Sequence, residues 1–373
     1  MNDGERIVWF TVTSYYPSRG GVQEIVKYEA EGLVKKGYKV NVLTTKGDDL
    51  PETETHNGVN IHRTQLSGIR NILHASLSLT QKYATVIVVC PDNTFNTKIV
   101  KEIEAFDCKK IAYFHGMHFP KFSINILDDV LIFLKKIKWV VYYNWLFKKI
   151  SNYSYIVHLH ELDEGYLFCK KKYPHNTVVI HNFIDDNEFN QVNDSFLNIK
   201  KDNEILYIAN FCRHKNQKRL LNIYYKYIQK DIILILIGSK RNKYYDECIA
   251  LNKELERKYG EKNVKIIAGI SRNEIIELYY RAKVFVMTSR HEFFPVVFLE
   301  CMRSKLPFIS SDVGVARYLP GGVIAKTDED FSYWIQKILN FDYYAKLGEL
   351  GYEYYCNECS GKLMVDILAK LIN

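Results

Sequence analysis

The chain has 373 residues, 47% of them hydrophobic and 25% charged, with a formal net charge of +8. That length exceeds one ordinary hydrophobic core and points to two domains, while the composition excludes a disordered chain. A positive sum admits nucleic acid, an anionic lipid surface or a phosphorylated ligand. No nucleic-acid-binding signature accompanies it, so nucleic acid is not an expected partner.

Residues 1–5 are polar and lead straight into Ile7-Val8-Trp9-Phe10, without the charged and apolar regions of a secretory leader. No long uncharged apolar stretch follows, so a cytoplasmic protein without a membrane span is expected. From there apolar runs alternate with segments of helical period, the sign of βα units and parallel sheets. In the first half, strands are predicted at 7–12, 39–43, 86–90, 110–114 and 155–158. A helix is predicted over 23–36, where Ile25, Val26, Ala30, Leu33 and Val34 recur at helical spacing. In the second half, strands are predicted at 204–209, 232–237, 264–267, 284–287 and 307–310, and helices over 274–282 and 297–303. The polar, aperiodic stretch 185–202 reads as the linker. The expected architecture is α/β, with two Rossmann-like doubly wound domains facing across a cleft. They comprise 1–185 and 186–349, with a C-terminal helix in 350–373 returning to the first. The eight cysteines are scattered and suit buried, reduced thiols. Cys356 and Cys359 form a lone CxxC with no second pair at zinc spacing.

Two segments carry chemistry. Gly20-Gly21 ends the loop after the first strand, where glycines let backbone approach a ligand and a helix start offers free N–H groups to an anion. Ser289-Arg290-His291-Glu292-Phe293-Phe294-Pro295-Val296-Val297-Phe298-Leu299-Glu300 runs from a strand end through a short loop into a helix opened by proline. Its two glutamates suit hydrogen bonding to hydroxyl pairs, and its first helical N–H groups lack intrahelical partners.

The latter segment resembles the E-x7-E signature of the retaining glycosyltransferases of the family 4 type, which have the GT-B fold. Other stretches resemble the same family in the same order. Gly20-Gly21 with Ala30, Leu33 and Gly37-Tyr38-Lys39-Val40 is similar to its glycine loop, first helix and second strand, and His115-Gly116 follows a strand as its acceptor-side histidine does. Val179 to Asp185 with Phe189 resembles an interdomain I-x-N-G-V-D…F stretch. Leu206 to Phe211 followed by Lys215-Asn216 resembles the opening of the donor domain. Pro307 and Gly314 sit where the signature region ends. The resemblance covers roughly residues 7–345. The chain departs from it at Phe183, Phe293 and Lys305, where the family has glycine, and at Ala209-Asn210, where it has Gly-Arg.

The resemblance implies a metal-independent, retaining hexosyltransferase with no cofactor. It would move a sugar from a nucleotide diphosphate donor, a UDP-sugar favoured over a GDP-sugar, to a glycan or lipid-linked acceptor in surface polysaccharide or glycolipid assembly. Glu292 would hold the transferred sugar's hydroxyls and Glu300 the ribose. Lys215 would neutralise the diphosphate; separately from the resemblance, Arg213 is close enough to it in sequence to supply the cation absent at Asn210. His115 would bond the sugar or the acceptor. Gly20, Gly21, Asn210, Gly269, Ile270, Phe293, Phe294, Pro295 and Val296 would complete the donor site. Neither glutamate is expected to be a nucleophile, unlike the paired carboxylates of glycosidases.

Asp328-Glu329-Asp330 is the one spacing resembling a metal-holding acidic pair, and it reads as the first turn of a surface helix. Residues 131–150 carry five lysines, no acidic residue, and Trp139, Tyr142, Tyr143 and Trp145. They suit either a helix on an anionic membrane, giving peripheral attachment, or a core helix with a basic outer face. The glycine departures also leave open a catalytically silent sugar-nucleotide-binding protein, and the fold a sugar-nucleotide epimerase.

Overall fold

The computed structural model describes residues 6–18, 20–47, 49–117, 130–190, 201–340 and 343–373, by backbone alone at 130–136 and 343–344. The chain forms two compact units, Met1–Asn182 with Gly361–Asn373, and Phe183–Ser360. The sequence reading instead divides it after 185 and returns the whole of 350–373 to the first domain.

In chain order the first unit contains β1 (Ile7–Thr11), α1 (Gly21–Lys35), β2 (Lys39–Thr45), β3 (Thr53–His56), β4 (Val59–Thr64), α2 (Ile69–Leu77), β5 (Ala84–Val89), α3 (Thr94–Glu102), β6 (Lys109–Tyr113), α4 (Val130–Ile150), β7 (Tyr155–His158), α5 (Glu164–Lys172) and β8 (Thr177–Val179). The second contains α6 (Asp186–Asn190), β9 (Glu204–Ile208), α7 (Gln217–Tyr227), β10 (Ile233–Gly238), α8 (Lys243–Tyr259), β11 (Val264–Ala268), α9 (Arg272–Arg281), β12 (Val284–Met287), α10 (Val296–Arg303), β13 (Phe308–Ser310), β14 (Gly322–Ile324), α11 (Asp328–Asn340) and α12 (Tyr343–Glu358). The last helix, α13 (Gly361–Ile372), belongs to the first unit.

The first sheet runs β3-β4-β2-β1-β5-β6-β7-β8 and the second β11-β10-β9-β12-β13-β14. Every neighbouring pair is parallel except β3–β4. From β4 onward the first sheet, and the whole of the second, follow the doubly wound order in which the first strand sits centrally and the chain reverses beside it. The expected pair of Rossmann-like domains is the observed fold. Ligands in such sheets bind where the order reverses, outside the strands' carboxyl ends. Those points lie at β1 beside β5 and at β9 beside β12.

Central strands such as β1 and β5 are buried at every residue, as strands covered on both faces must be, and read as unbroken apolar runs. The sequence reading omits β3, β4, β8 and β14. The first two form a hairpin whose turn, Asn57-Gly58, holds φ of 49° and 80°, the left-handed pair a two-residue hairpin requires. The stretch 185–202, expected to be a linker, opens with α6, which is anchored in its unit. Phe189 is buried and the Tyr355 hydroxyl donates to Asp186 at 2.7 Å. Residues 191–200 of that stretch lie outside the described residues.

One buried position contradicts apolar patterning. Glu29 stands on the core face of α1 among Ile25, Val26, Ala30 and Leu33. Its Oε1 accepts from the Tyr113 hydroxyl at 3.2 Å, and its Oε2 has no partner among the described residues. Burial pushes the carboxyl from 4.5 up to about 8. Between those values the folded chain keeps a proton that the unfolded chain releases, so stability is full below 4.5 and lost as pH rises through 8. Glu29→Gln removes that titration. Between pH near 5 and near 9 the parent chain should lose on the order of 3 kcal/mol more stability than the variant, a difference urea denaturation at the two pH values reads directly.

Candidate active site

The second unit places its polar side chains at the carboxyl ends of β9 and β12, where its strand order reverses. The loop after β9 carries Asn210, Arg213 and Lys215, and the loop after β12 carries Arg290 and Glu292. Buried Tyr207, on β9, ties the loops together by donating to the Lys215 carbonyl at 2.5 Å and pairing with the Ser289 hydroxyl at 3.0 Å. The Arg290 N–H donates to the His214 carbonyl at 2.7 Å, and the Thr288 hydroxyl to that of Asn216 at 3.0 Å. Asn216 adopts left-handed backbone, φ 56°, as it turns the chain into α7.

The result is an ion pair, Lys215 Nζ to Glu292 Oε1 at 2.5 Å, with side-chain exposures of 22% and 11%. Enough of each group stays open to meet a ligand. Beneath it the loop after β13 packs so closely that a Cβ on Gly314, itself at φ 51°, would stand 2.1 Å from the Phe293 carbonyl oxygen. The neighbouring Val315 N–H donates to that oxygen at 2.9 Å, fixing the backbone of the Glu292–Phe293 loop. Glycine is required at 314 on both counts. Phe293, by contrast, is outside the left-handed region, and a side chain there carries no backbone strain. The third departure behaves differently. Lys305 does adopt φ 53°, the conformation that favours glycine, and its ammonium is held by Glu349 at 2.8 Å and lies 4.9 Å from the Tyr352 ring centre.

Pro295 caps α10, and Phe294 before it is buried. The helix start leaves the Val296 and Val297 N–H groups without intrahelical carbonyls. One and a half turns on, buried Glu300 is engaged at both oxygens. The Tyr279 hydroxyl donates to Oε2 at 2.5 Å, and Arg272 Nη2 lies 2.6 Å from Oε1. Arg272 also reaches Glu188 at 2.8 Å. Burial works against its charge, yet Glu300 and Glu188 hold its pKa above the ordinary value. A carboxylate has about four acceptor sites, so Glu300 retains capacity for ligand hydroxyls. Tyr279 and Glu188 are absent from the sequence reading. Tyr207 and Ser289 enter it only inside motif stretches and without a role, and Arg272 enters it only as the end of the loop from Gly269 that the resemblance implies holds the nucleotide base.

The remaining expected residues divide. Asn210 Oδ1 accepts from the Ser239 hydroxyl at 2.6 Å, bracing the ends of β9 and β10. Gly269 takes φ 77° and its N–H donates to the Gly238 carbonyl at 3.1 Å, with Ile270 next to it ahead of α9. Arg213 does not join the Lys215–Glu292 pair. It is exposed and lines a separate depression with Arg290.

Three expected residues belong to the first unit. Gly20 precedes α1 in extended backbone, φ 175°, and Gly21 opens the helix, so neither requires glycine for its conformation. His115 follows β6, its ring 4.4 Å from that of Tyr113. Both ring nitrogens are shut off from solvent and have no hydrogen-bond partner among the described residues, and desolvation pushes the imidazole down to about 3. It is neutral at physiological pH, with one donor and one acceptor unspent.

Among the described residues no group of three or more His, Cys, Asp or Glu is placed to hold a metal ion. Asp328, Glu329 and Asp330 form the first turn of α11 and are occupied by Arg219, Tyr227 and backbone N–H groups. No helix among the described residues is long and apolar enough to cross a membrane. In α4, Tyr143, Leu146, Phe147 and Ile150 enter the core, whereas Ile137, Trp139 and Val141 are exposed.

The two Rossmann-like units define the α/β two-domain fold of the GT-B glycosyltransferases. Residues 189–321 match the family model described as Glycosyl transferases group 1. Sucrose-phosphate synthase from Thermosynechococcus elongatus superposes with a TM-score of 0.73 at 17% identity over 98% of each chain. Anabaena Alr3699/HepE in complex with UDP does so with a TM-score of 0.74 at 13% identity, also over 98% of each. In sequence, the chain is 29% identical over 164 residues to the amylovoran biosynthesis glycosyltransferase AmsD of Erwinia amylovora. That match covers 42% of this chain and less than half, 43%, of AmsD.

Proposed function

We propose that the protein is a retaining glycosyltransferase that moves a sugar from a nucleotide diphosphate donor, a UDP-sugar foremost, to a hydroxyl of a glycan or lipid-linked acceptor. The Lys215–Glu292 pair at the β9/β12 reversal point carries the reading. An ammonium beside a carboxylate at the edge of a Rossmann-like sheet suits a ligand with an anionic diphosphate next to hydroxyl groups. Lys215 takes the diphosphate oxygens, Glu292 is released to accept from sugar hydroxyls, and Glu300 accepts from the ribose. The N–H groups at the start of α10 add donors. Breaking the bond between the sugar and the diphosphate leaves charge on the phosphate, which Lys215 neutralises as it develops. His115, neutral throughout the working range, offers a hydrogen bond on the acceptor side without adding charge. The UDP complex of HepE and the sugar transfer named for AmsD support the same reading. Ile137, Trp139 and Val141 beside Lys138 suit contact with an anionic lipid surface during work on a lipid-linked acceptor.

Calorimetric titration with UDP-, GDP- and ADP-sugars, followed by assay of nucleotide diphosphate release with and without EDTA, tests the proposal. One donor should bind saturably and turn over in EDTA. Donor conversion to an isomer without nucleotide release would assign an epimerase. Binding without any turnover on a range of hydroxyl acceptors would assign a silent binder.

A further inference from the structure

The second unit has another cavity that the proposed transfer does not use. A depression of about 610 Å³ lies between the first turns of α7 and α8 and the loop after β12. Four cations line it, and two of them are already matched. Lys218 pairs with Glu247 at 2.7 Å and Arg219 with Asp328 at 2.7 Å. Arg213 and Arg290 have no ion pair among the described residues, and Glu247 is the one acidic residue in the lining. The depression therefore keeps an excess of positive charge, delivered by two guanidinium forks.

We propose that this depression is a second anion site that binds a small phosphate-bearing molecule, its phosphate held between Arg213 and Arg290. Arginine presents paired donors that match phosphate oxygens, and two such forks satisfy one dianion. The cavity has the volume of a small-molecule site and not the extended track a nucleic acid strand needs. Tyr244 forms part of the wall, with Lys218 Nζ 5.2 Å from its ring centre, and Asn222 adds an amide, so the body of the ligand meets a ring and a polar group. Arg290 lies two residues from Glu292 and Arg213 two from Lys215, in loops bonded to each other at His214. An occupant thus holds together the loops that carry the Lys215–Glu292 pair. The inference does not depend on the transferase reading.

Calorimetry of the full chain at fixed ionic strength, with glucose 6-phosphate as probe and inorganic phosphate and glucose as reference arms, tests it. The hexose phosphate should bind saturably. R213Q/R290Q should weaken that binding about a hundredfold, the loss expected for two charge-assisted contacts. Asn222→Trp, at an exposed helix position, should block it by bulk with the charges intact, whereas Glu292→Gln should bind the probe as the parent does. Inorganic phosphate matching the hexose phosphate would assign the site to free phosphate. Glucose binding equally well, or undiminished probe binding in both depression variants, overturns the proposal.

Discussion

Lys215→Ala is expected to lower kcat for sugar transfer by about 10²–10³, the loss typical of removing one group that stabilises charge developing in a transition state. In the free protein the ammonium is not idle, since it sits 2.5 Å from Glu292 Oε1. Removing it takes away the cation facing the leaving diphosphate and leaves the Glu292 carboxylate, 11% exposed, pointing at the same anion. Both changes oppose the reaction, so Lys215→Ala should be worse than Glu292→Gln, which removes a sugar contact and lowers repulsion at once. The donor also carries its diphosphate in the ground state, so its affinity should fall too, but less than kcat, because the leaving group gains charge only as the bond breaks. Steady-state kinetics with the preferred donor, together with titration of the nucleoside diphosphate, separate the two effects. Parent-like turnover in Lys215→Ala would remove the leaving-group role.

How much of this was legible in the sequence depended on whether neighbours in space were neighbours in the chain. The ten predicted strands all exist because parallel strands covered on both faces demand unbroken apolar runs, as in Ala84–Val89. The hairpin strand Thr53–His56 escaped because it is an exposed edge of alternating polar residues, although its Asn57-Gly58 turn was a usable signal. Strands β8 and β14, three residues each, are too short to show a period. The sequence marks both Lys215 and Glu292 as site residues, yet their direct pairing is a product of the β9–β12 adjacency and not of any spacing. Lys305 illustrates the reverse case. The glycine of the resembling family at that position makes physical sense once φ is 53°, and the lysine persists there because Glu349 and Tyr352 hold its side chain. Arg213 was expected beside Lys215 from proximity in sequence alone, but the left-handed turn at Asn216 and the Arg290–His214 bond lie in the same loop pair, and Arg213 opens on the other depression.

Glu300→Ala should be the most destabilising single change at the site, by about 3–5 kcal/mol, the range for breaking a buried ion pair from one side. Both carboxylate oxygens are in use, so the substitution strands two groups at once. The buried Tyr279 hydroxyl loses its acceptor, and Glu188, at the more exposed end of the network with 37% side-chain exposure, is the one carboxylate left to Arg272 among the described residues. Loss of stability alone would not distinguish a structural carboxylate from one that also holds the ribose. The double replacement Arg272→Met with Glu300→Met makes that distinction, because removing both charges for apolar groups of similar length avoids the uncompensated cation. Denaturant unfolding should show the pair regaining a large part of what Glu300→Ala loses. Titration with the nucleoside diphosphate should show no regain of affinity, since the acceptors for the ribose hydroxyls are gone in both. A double variant that is stable and binds the nucleotide as the parent does would confine Glu300 to holding α9 against α10.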